Sequence, residues 1–210
     1  MIPQAYTLPD AVLLAESQYF PRHLIWRPTD IVIVLGHANQ PEKSLRLENV
    51  IKDRIPVYKR PSGGEAVLLS PRTLAISALV LRNGISDARR YFRYFNRKIM
   101  AALTRLGVKN LAEKGVSDIA LGEQKILGSA IYQDKDRVFY QAILNAAEFP
   151  DLIENYLKLP SIEPPYRQGR RHIHFVTSLA DQGYRFSPVQ LSRAIEAEFS
   201  RFISGSAFLF

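Results

Sequence analysis

Cysteine is missing from all 210 residues. That excludes a disulfide framework, a zinc or iron–sulfur site built on thiolates, and any cysteine nucleophile. Long apolar runs are missing too. None approaches 18 residues, so no segment reads as a membrane-spanning helix. The opening stretch, MIPQAYTLPDAVLLAESQ, has no basic segment before its apolar part and places Asp10 and Glu16 inside it. A secretory signal is therefore not expected, and a cytoplasmic location is. Internal repeats, low-complexity tracts and Gly/Ser linkers are absent, so residues 1–210 are expected to form a single domain. Acidic residues are outnumbered: 28 Lys and Arg against 20 Asp and Glu leave a net charge of +8. Such a surface favours anionic partners, whether nucleic acid, a phosphorylated ligand, an acidic protein or a membrane face. With 47% hydrophobic and 23% charged residues, the composition is that of a globular chain.

Apolar spacing and turn residues place the elements. A short helix is predicted over 10–19. His23–Trp26 and Ile31–Leu35 read as strands, Pro41 opens a helix to Arg54, and Pro56–Lys59 is a short strand. Arg60-Pro61-Ser62-Gly63-Gly64 reads as a tight loop, because Pro fixes φ and glycine permits φ > 0. Strands follow at Ala66–Leu69 and Leu74–Leu81. Phe92, Phe95, Ile99, Leu103 and Leu106 form one apolar stripe on a long helix from Ser86 to Leu106, which Gly107 stops. Four more strands are predicted at Val108–Leu111, Ser117–Leu121, Gln124–Tyr132 and Val138–Asn145. A helix near Phe149–Leu157 then precedes a Pro-rich stretch, Leu159–Arg171. Ser187, Pro188 and Gln190 make a capping box for a last amphipathic helix. Many strands with few helices, not in βαβ alternation, indicate an α+β fold. The sheet is expected to be mixed and largely antiparallel, with helices packed against it.

Two clusters carry candidate chemistry. In Lys59-Arg60-Pro61-Ser62-Gly63-Gly64-Glu65-Ala66-Val67, a Gly-Gly turn lets a ligand approach the backbone, and Arg60 offers a permanently charged fork for carboxylate or phosphate. A surface hairpin turn would look the same. In Gly122 to Ala130, Lys125 lies on a strand with a small-residue end, Gly128-Ser129-Ala130, and could balance charge developing on a phosphoryl group. Asp118, on the preceding strand, could hold that lysine across a hairpin. A solvated edge lysine is the plain alternative.

Together these segments, with Gly36 and Ser117-Asp118-Ile119, resemble the catalytic domain of lipoate–protein ligases. That family is grouped with octanoyltransferases and biotin protein ligases. Its pattern joins an R-R-x-[ST]-G-G-x-A-V loop, an Asp before a basic strand, and K-x-x-G-S-A. The resemblance covers about Leu8 to Leu179. It implies a fold like that of class II aminoacyl-tRNA synthetases and biotin synthetases. It also implies activation of lipoate or octanoate with ATP, accompanied by Mg2+, and transfer of the acyl group to a lysine of a lipoyl carrier domain. The carrier would be of the 2-oxoacid dehydrogenase or glycine cleavage H type. By this resemblance Lys125 contacts the acyl carbonyl and the phosphate of the adenylate, and Asp118 orients it. Arg60, Ser62, Gly63, Gly64, Ala66, Val67, Gly128, Ser129 and Ala130 border substrate and nucleotide. Val67, Leu69, Ile76 and Ala130 would suit an acyl tunnel.

Several positions depart from the family pattern. Lys59 replaces the first Arg, and Glu65 the third Gly. Leu69-Ser70 stands where His-Asp often follows, and Tyr140-Gln141 where His-Gly is frequent. The accessory C-terminal domain of longer ligases is not expected in this chain, and a separate subunit could supply it. These departures leave open a catalytically silent relative that binds acyl chains, adenylate or the carrier, or a cysteine-free acyltransferase. The octanoyltransferase and amidotransferase branches use a cysteine thioester, so the ligase branch remains.

Three features have plainer readings. Arg89, Arg93 and Arg97 form a helix stripe that reads better as a solvated face than as a nucleic-acid contact. His172 and His174, taken as one strand face, lack a third metal ligand nearby, and no metal site is expected. Gly169-Arg170-Arg171 is either a phosphate contact or a solvated loop. The apolar end, Gly205 to Phe210, is expected to dock on this domain or on a partner.

Overall fold

The computed structural model describes residues 1–15, 22–82 and 87–203. In chain order the first elements are β1 (Gln4–Ala5), α1 (Ala11–Ala15), β2 (Arg22–Trp26), β3 (Val32–Leu35), α2 (Pro41–Ser44), α3 (Leu47–Lys52) and β4 (Val57–Lys59). Next come β5 (Val67–Leu69), β6 (Thr73–Leu81), α4 (Ala88–Arg105), β7 (Leu111–Lys114), β8 (Asp118–Leu121), β9 (Gln124–Gln133) and β10 (Arg137–Asn145). The chain continues through α5 (Pro150–Tyr156), a 3-10 turn (Pro165–Arg167), α6 (His172–Phe175) and α7 (Pro188–Ile203).

The strands form two sheets. A small mixed sheet has the order β1-β4-β3-β5, parallel except for the antiparallel β3–β5 pair. A six-stranded antiparallel sheet has the order β2-β6-β10-β9-β8-β7. This is the α+β arrangement, mixed and largely antiparallel, that the strand-rich sequence predicts.

Helix α4 covers the large sheet because its apolar residues recur on one face. Phe95, Ile99 and Leu103 are buried there beside Leu191, Ile195 and Phe199 of α7. Each such side chain contributes about 1.5–3 kcal/mol by leaving water. Phe95 stacks on Tyr140 of β10 with ring centroids 4.6 Å apart. Strand alternation then divides β10: Tyr140, Ala142 and Leu144 enter this core, while Gln141, Ile143 and Asn145 line a cavity on the sheet's other face. A smaller core, with Ile33, Leu35, Val50, Val57 and Leu68, joins the small sheet to Tyr156 and Leu157.

The predicted cap of the last helix can be read at atomic level. The Ser187 hydroxyl accepts from Gln190 N at 3.2 Å, and Gln190 Oε1 accepts from Ser187 N at 2.9 Å. Helix α4 is capped by Asp87, whose carboxylate accepts from Arg89 N. The predicted start at Ser86, the end of the 10–19 helix and the apolar tail 205–210 lie outside the described residues.

Other boundaries differ from expectation. The helix expected over 41–54 is broken, because Leu45 extends to bridge Leu157 and is fully buried there. The strand expected at Val108–Leu111 begins at Leu111 instead. Gly107 and Asn110 both adopt left-handed backbone, and Val108 folds back so that its N–H donates to Leu103 O. His172 to Phe175 form a helical turn rather than a strand.

Candidate functional site

The cavity between the two sheets has a volume of about 790 Å³. It gathers every site residue expected from the sequence except Ser62 and Gly63. Ser62 is fully buried beneath the loop, where its hydroxyl donates to Gln141 Oε1 at 2.9 Å. Ile76 also does not reach the cavity; it points into the α4 core. Val67, Leu69 and Ala130 do line it, together with Ile143.

Lys125 and Asp118 meet across the β8–β9 hairpin. The ladder pairs Ala120 with Lys125 but Asp118 with Gly128, because the register shifts between Ile119 and Ala120. The extra residue on β9 is a bulge, which re-aims a side chain locally. Lys125 Nζ comes to 2.7 Å from Asp118 Oδ1, with the carboxylate almost wholly buried. Gly128 makes this possible: a Cβ there would lie 2.7 Å from both Cε and Nζ of Lys125. The lysine therefore arches over the space that the glycine leaves. We predict that Gly128→Ala displaces the amine and lowers the site's activity about tenfold. The unfolding midpoint should hardly move, since a flexible side-chain end can give way. Unchanged turnover in the purified variant would show that the arch is not needed.

Arg60 acts differently from the free anion fork that its sequence suggests. It is 5% exposed, and its guanidinium donates to Val34 O, Gly63 O and Glu65 O. Among the described residues its Nε has no partner. Burial pushes its pKa down to about 10, against the pull of Tyr6 and Glu65, so it stays charged at neutral pH. Three carbonyls on one buried cation fix the shape of the loop. Gly64 crosses the cavity wall at φ +87°, and its carbonyl oxygen would lie 1.9 Å from a Cβ at position 36. Gly36 is thus the seat on which the loop packs.

Two departures from the family pattern now have physical roles. The Glu65 carboxylate accepts from Ser161 Oγ and Ile162 N, at 3.0 and 3.1 Å, tying the Pro-rich segment to the glycine loop. Gln141 uses its whole amide: Oε1 accepts from Ser62, while Nε2 donates to Tyr6 Oη and Asp10 Oδ2, each at 2.8 Å. Asp10 also accepts from the hydroxyls of Tyr6 and Ser77. This polar knot locks the N-terminal segment against β10.

Residues beyond β10 complete the wall, and little in the sequence marks them. Arg167, rather than Arg170 or Arg171, lines the cavity. Arg170 is engaged with Glu123 O and Tyr166 O, and Arg171 with Glu154. The Arg167 guanidinium stacks on Phe175 at 4.6 Å and approaches His172 Nδ1 at 3.4 Å. Arginine only donates, so His172 Nδ1 accepts and Nε2 carries the proton to Lys158 O, 3.1 Å away. The imidazole is thereby held neutral. Burial, aided by the Arg167 and Lys125 charges, lowers its pKa from the ordinary value of 6.5.

A depressed histidine pKa has a definite sign. The unfolded chain takes up the proton first, so this stabilising contribution is complete above about pH 6.5 and declines as pH falls toward the lowered folded value. Thermal melts at pH 7.5 and 5.5 should show a smaller acid loss in His172→Gln than in the parent. Part of the loss will remain, because His23 is also lowered by burial. An identical acid loss in both proteins would remove His172 from the account.

Arg89, Arg93 and Arg97 lie exposed on α4, away from the cavity, with Arg97 3.9 Å from Glu113.

The loop over Gly36 and the Lys125–Asp118 pair over Gly128 both fall within the stretch that a known family matches. The family model "Lipoyl protein ligase A/B catalytic domain" matches residues 9–200. The chain belongs to that family. Lipoate–protein ligase 1 of Staphylococcus aureus is 32% identical over 147 residues, which is 70% of this chain and 43% of that protein. The chain thus spans less than half the length of the curated relatives it matches. Among solved structures, the bi-partite lipoate protein ligase of Thermoplasma acidophilum, described with its E2 lipoyl domain, superposes with a TM-score of 0.78. It is 21% identical, with 91% of this chain and 75% of that one covered. A lipoate-protein ligase A bound with ATP gives a TM-score of 0.77 at 24% identity, covering 91% and 77%. The fold is therefore that of lipoate ligase catalytic domains. No helix among the described residues is long and apolar enough to cross a membrane.

Proposed function

We propose that this lipoyl ligase family member activates lipoate or octanoate with ATP and passes the acyl group to a lysine of a lipoyl carrier domain. The observation that carries this reading is the Lys125–Asp118 pair, set where the Gly64 loop meets the apolar wall of Val67, Leu69 and Ile143. The apolar wall suits an acyl chain, and its carboxylate end would face Lys125. A carboxylate oxygen attacks the α-phosphorus and pyrophosphate leaves. Lys125 stabilises the negative charge that builds there, most effectively where water is excluded. Arg167, buried on the same cavity, adds further positive charge. In transfer, the carrier's amine bonds to the acyl carbonyl carbon, the carbonyl–phosphate bond breaks and AMP leaves.

The residues around the cavity do not offer a magnesium ligand set. Asp118 has both carboxylate oxygens engaged, and among the described residues no three His, Asp or Glu side chains converge. Mg2+ belongs with the nucleotide's phosphates, and no step here depends on it. A lipoyl carrier and a separate accessory polypeptide are proposed on the likeness to the bi-partite archaeal ligase.

The test is ATP–pyrophosphate exchange with lipoate and with octanoate, followed by acyl transfer to a purified lipoyl domain. Each is run with and without an accessory ligase polypeptide. Exchange that requires one of these acids supports the reading. Absence of exchange in every combination overturns it.

A further inference from the structure

Behind the Lys125–Asp118 pair stands a third group. Asp118 uses Oδ1 for Lys125, and its other oxygen, Oδ2, accepts from the Tyr166 hydroxyl at 2.9 Å. Tyr166 is far away in sequence, within the 3-10 turn Pro165–Arg167. Its ring is held from several sides. It packs on Phe175 with centroids 5.0 Å apart, and Lys114 Nζ lies 5.5 Å from its centroid. Gly115, at φ +60°, leaves room, since a Cβ there would lie 3.1 Å from Pro164 and 3.7 Å from the Tyr166 ring. Phe175 is in turn clamped by the guanidinium groups of Arg167 and Arg170, at 4.6 and 5.3 Å. The phenol is thus a fixed donor, and burial together with the Asp118 charge pushes its pKa well above the ordinary value, so it keeps its proton.

We propose that Tyr166 is a positioning residue, which fixes Asp118 so that Asp118 holds the Lys125 amine at the reacting centre. A carboxylate restrained at one oxygen can rotate; restrained at both, it aims its partner. The Pro-rich segment, tied at its start to Glu65, thereby reports its placement to the lysine through one hydroxyl. Tyr166 lies outside the cavity lining and acts only through Asp118. The inference rests on the function proposed above, so its test has an arm that needs no substrate.

Tyr166→Phe removes the hydroxyl and keeps the ring, leaving the packing on Phe175 in place. The adenylation kcat is expected to fall about tenfold with little change in KM for the acid. In Tyr166→Phe/Asp118→Asn, the loss should be no greater than in Asp118→Asn alone, as for residues acting as one unit. The second arm is reductive methylation with formaldehyde, read by mass spectrometry. Lys125 should be labelled several-fold faster in Tyr166→Phe, approaching its rate in Asp118→Asn, while the other lysines keep their rates. Labelling that shifts while the parent shows no exchange, with or without an accessory polypeptide, would uphold the coupling and sink the proposed function. Lys125 labelling unchanged from the parent would overturn the role of Tyr166, as would kinetic losses that multiply in the double variant.

Discussion

Lys125→Ala is expected to reduce acyl-adenylate formation by about 10²–10³-fold, equivalent to roughly 2.7–4 kcal/mol of transition-state stabilisation. Lys125 is the cation paired to Asp118 over Gly128, and alanine leaves no charge where the phosphate would react. Binding of the acid should suffer less than turnover, because the charge that Lys125 meets is largest in the transition state. The fold should survive. Lys125 is one residue on a strand held by its backbone on both sides, to β8 and through a bridge to Val176. The Asp118 carboxylate would lose its cation but keep the Tyr166 hydroxyl. Pyrophosphate exchange on protein checked by circular dichroism is the measurement. A folded variant working at the parent rate would falsify the assignment of Lys125 as the charge-stabilising group.

Gly36→Ala is expected to damage both stability and activity. Its Cβ would sit 1.9 Å from the Gly64 carbonyl oxygen, and the obstacle is backbone rather than a flexible side-chain end. The loop must move, and overpacking of this kind costs about 1–3 kcal/mol. The displacement would break the set of Arg60 hydrogen bonds to Gly63 O and Glu65 O and carry Gly64 away from the cavity wall. We expect a lowered urea midpoint together with an adenylation rate at least about 10²-fold down, since small misplacements near a reacting centre have effects of this order. Substitution at Gly63 makes the control. A Cβ at Gly63 meets nothing within 4 Å, so Gly63→Ala should leave the urea midpoint close to the parent value. Equal stability of Gly36→Ala and the parent would mean that the loop does not pack as described.

The glycine loop, Asp118 and Lys125 were legible in the sequence because their spacing and residue types repeat a pattern tied to chemistry. The precise duties of those residues were not. Arg60 reads as an anion fork on paper, yet it spends its hydrogen bonds on three carbonyls that only the folded loop brings together. Ser62 sits in a motif but faces Gln141 beneath the loop, because strand and turn geometry rotate it inward. Glu65 and Gln141, departures in the motif, are explained by partners 79 to 135 residues away, which no local pattern could supply. Arg167 and Tyr166 are unmarked in the sequence for the same reason, and His172 reads there only as half of a metal pair without a third ligand. Their segment is irregular and rich in proline, so neither a period of 3.6 nor a period of 2 marks which residues turn inward.

The sequence by itself determined the absence of thiol chemistry, the α+β class, the apolar face of α4, the capping of α7 and the residues that carry the family pattern. These depend on composition and on short-range spacing, where side-chain direction follows from backbone period. Tertiary structure alone decided that a bulge in β9 sets Lys125 against Asp118, that Gly128 provides the room, and that the Pro-rich segment closes the cavity and reaches back to the pair through Tyr166. Those contacts join residues brought together by the register of two strands and the path of a loop. Their energies depend on burial and on exact partners, which exist only once the chain has folded.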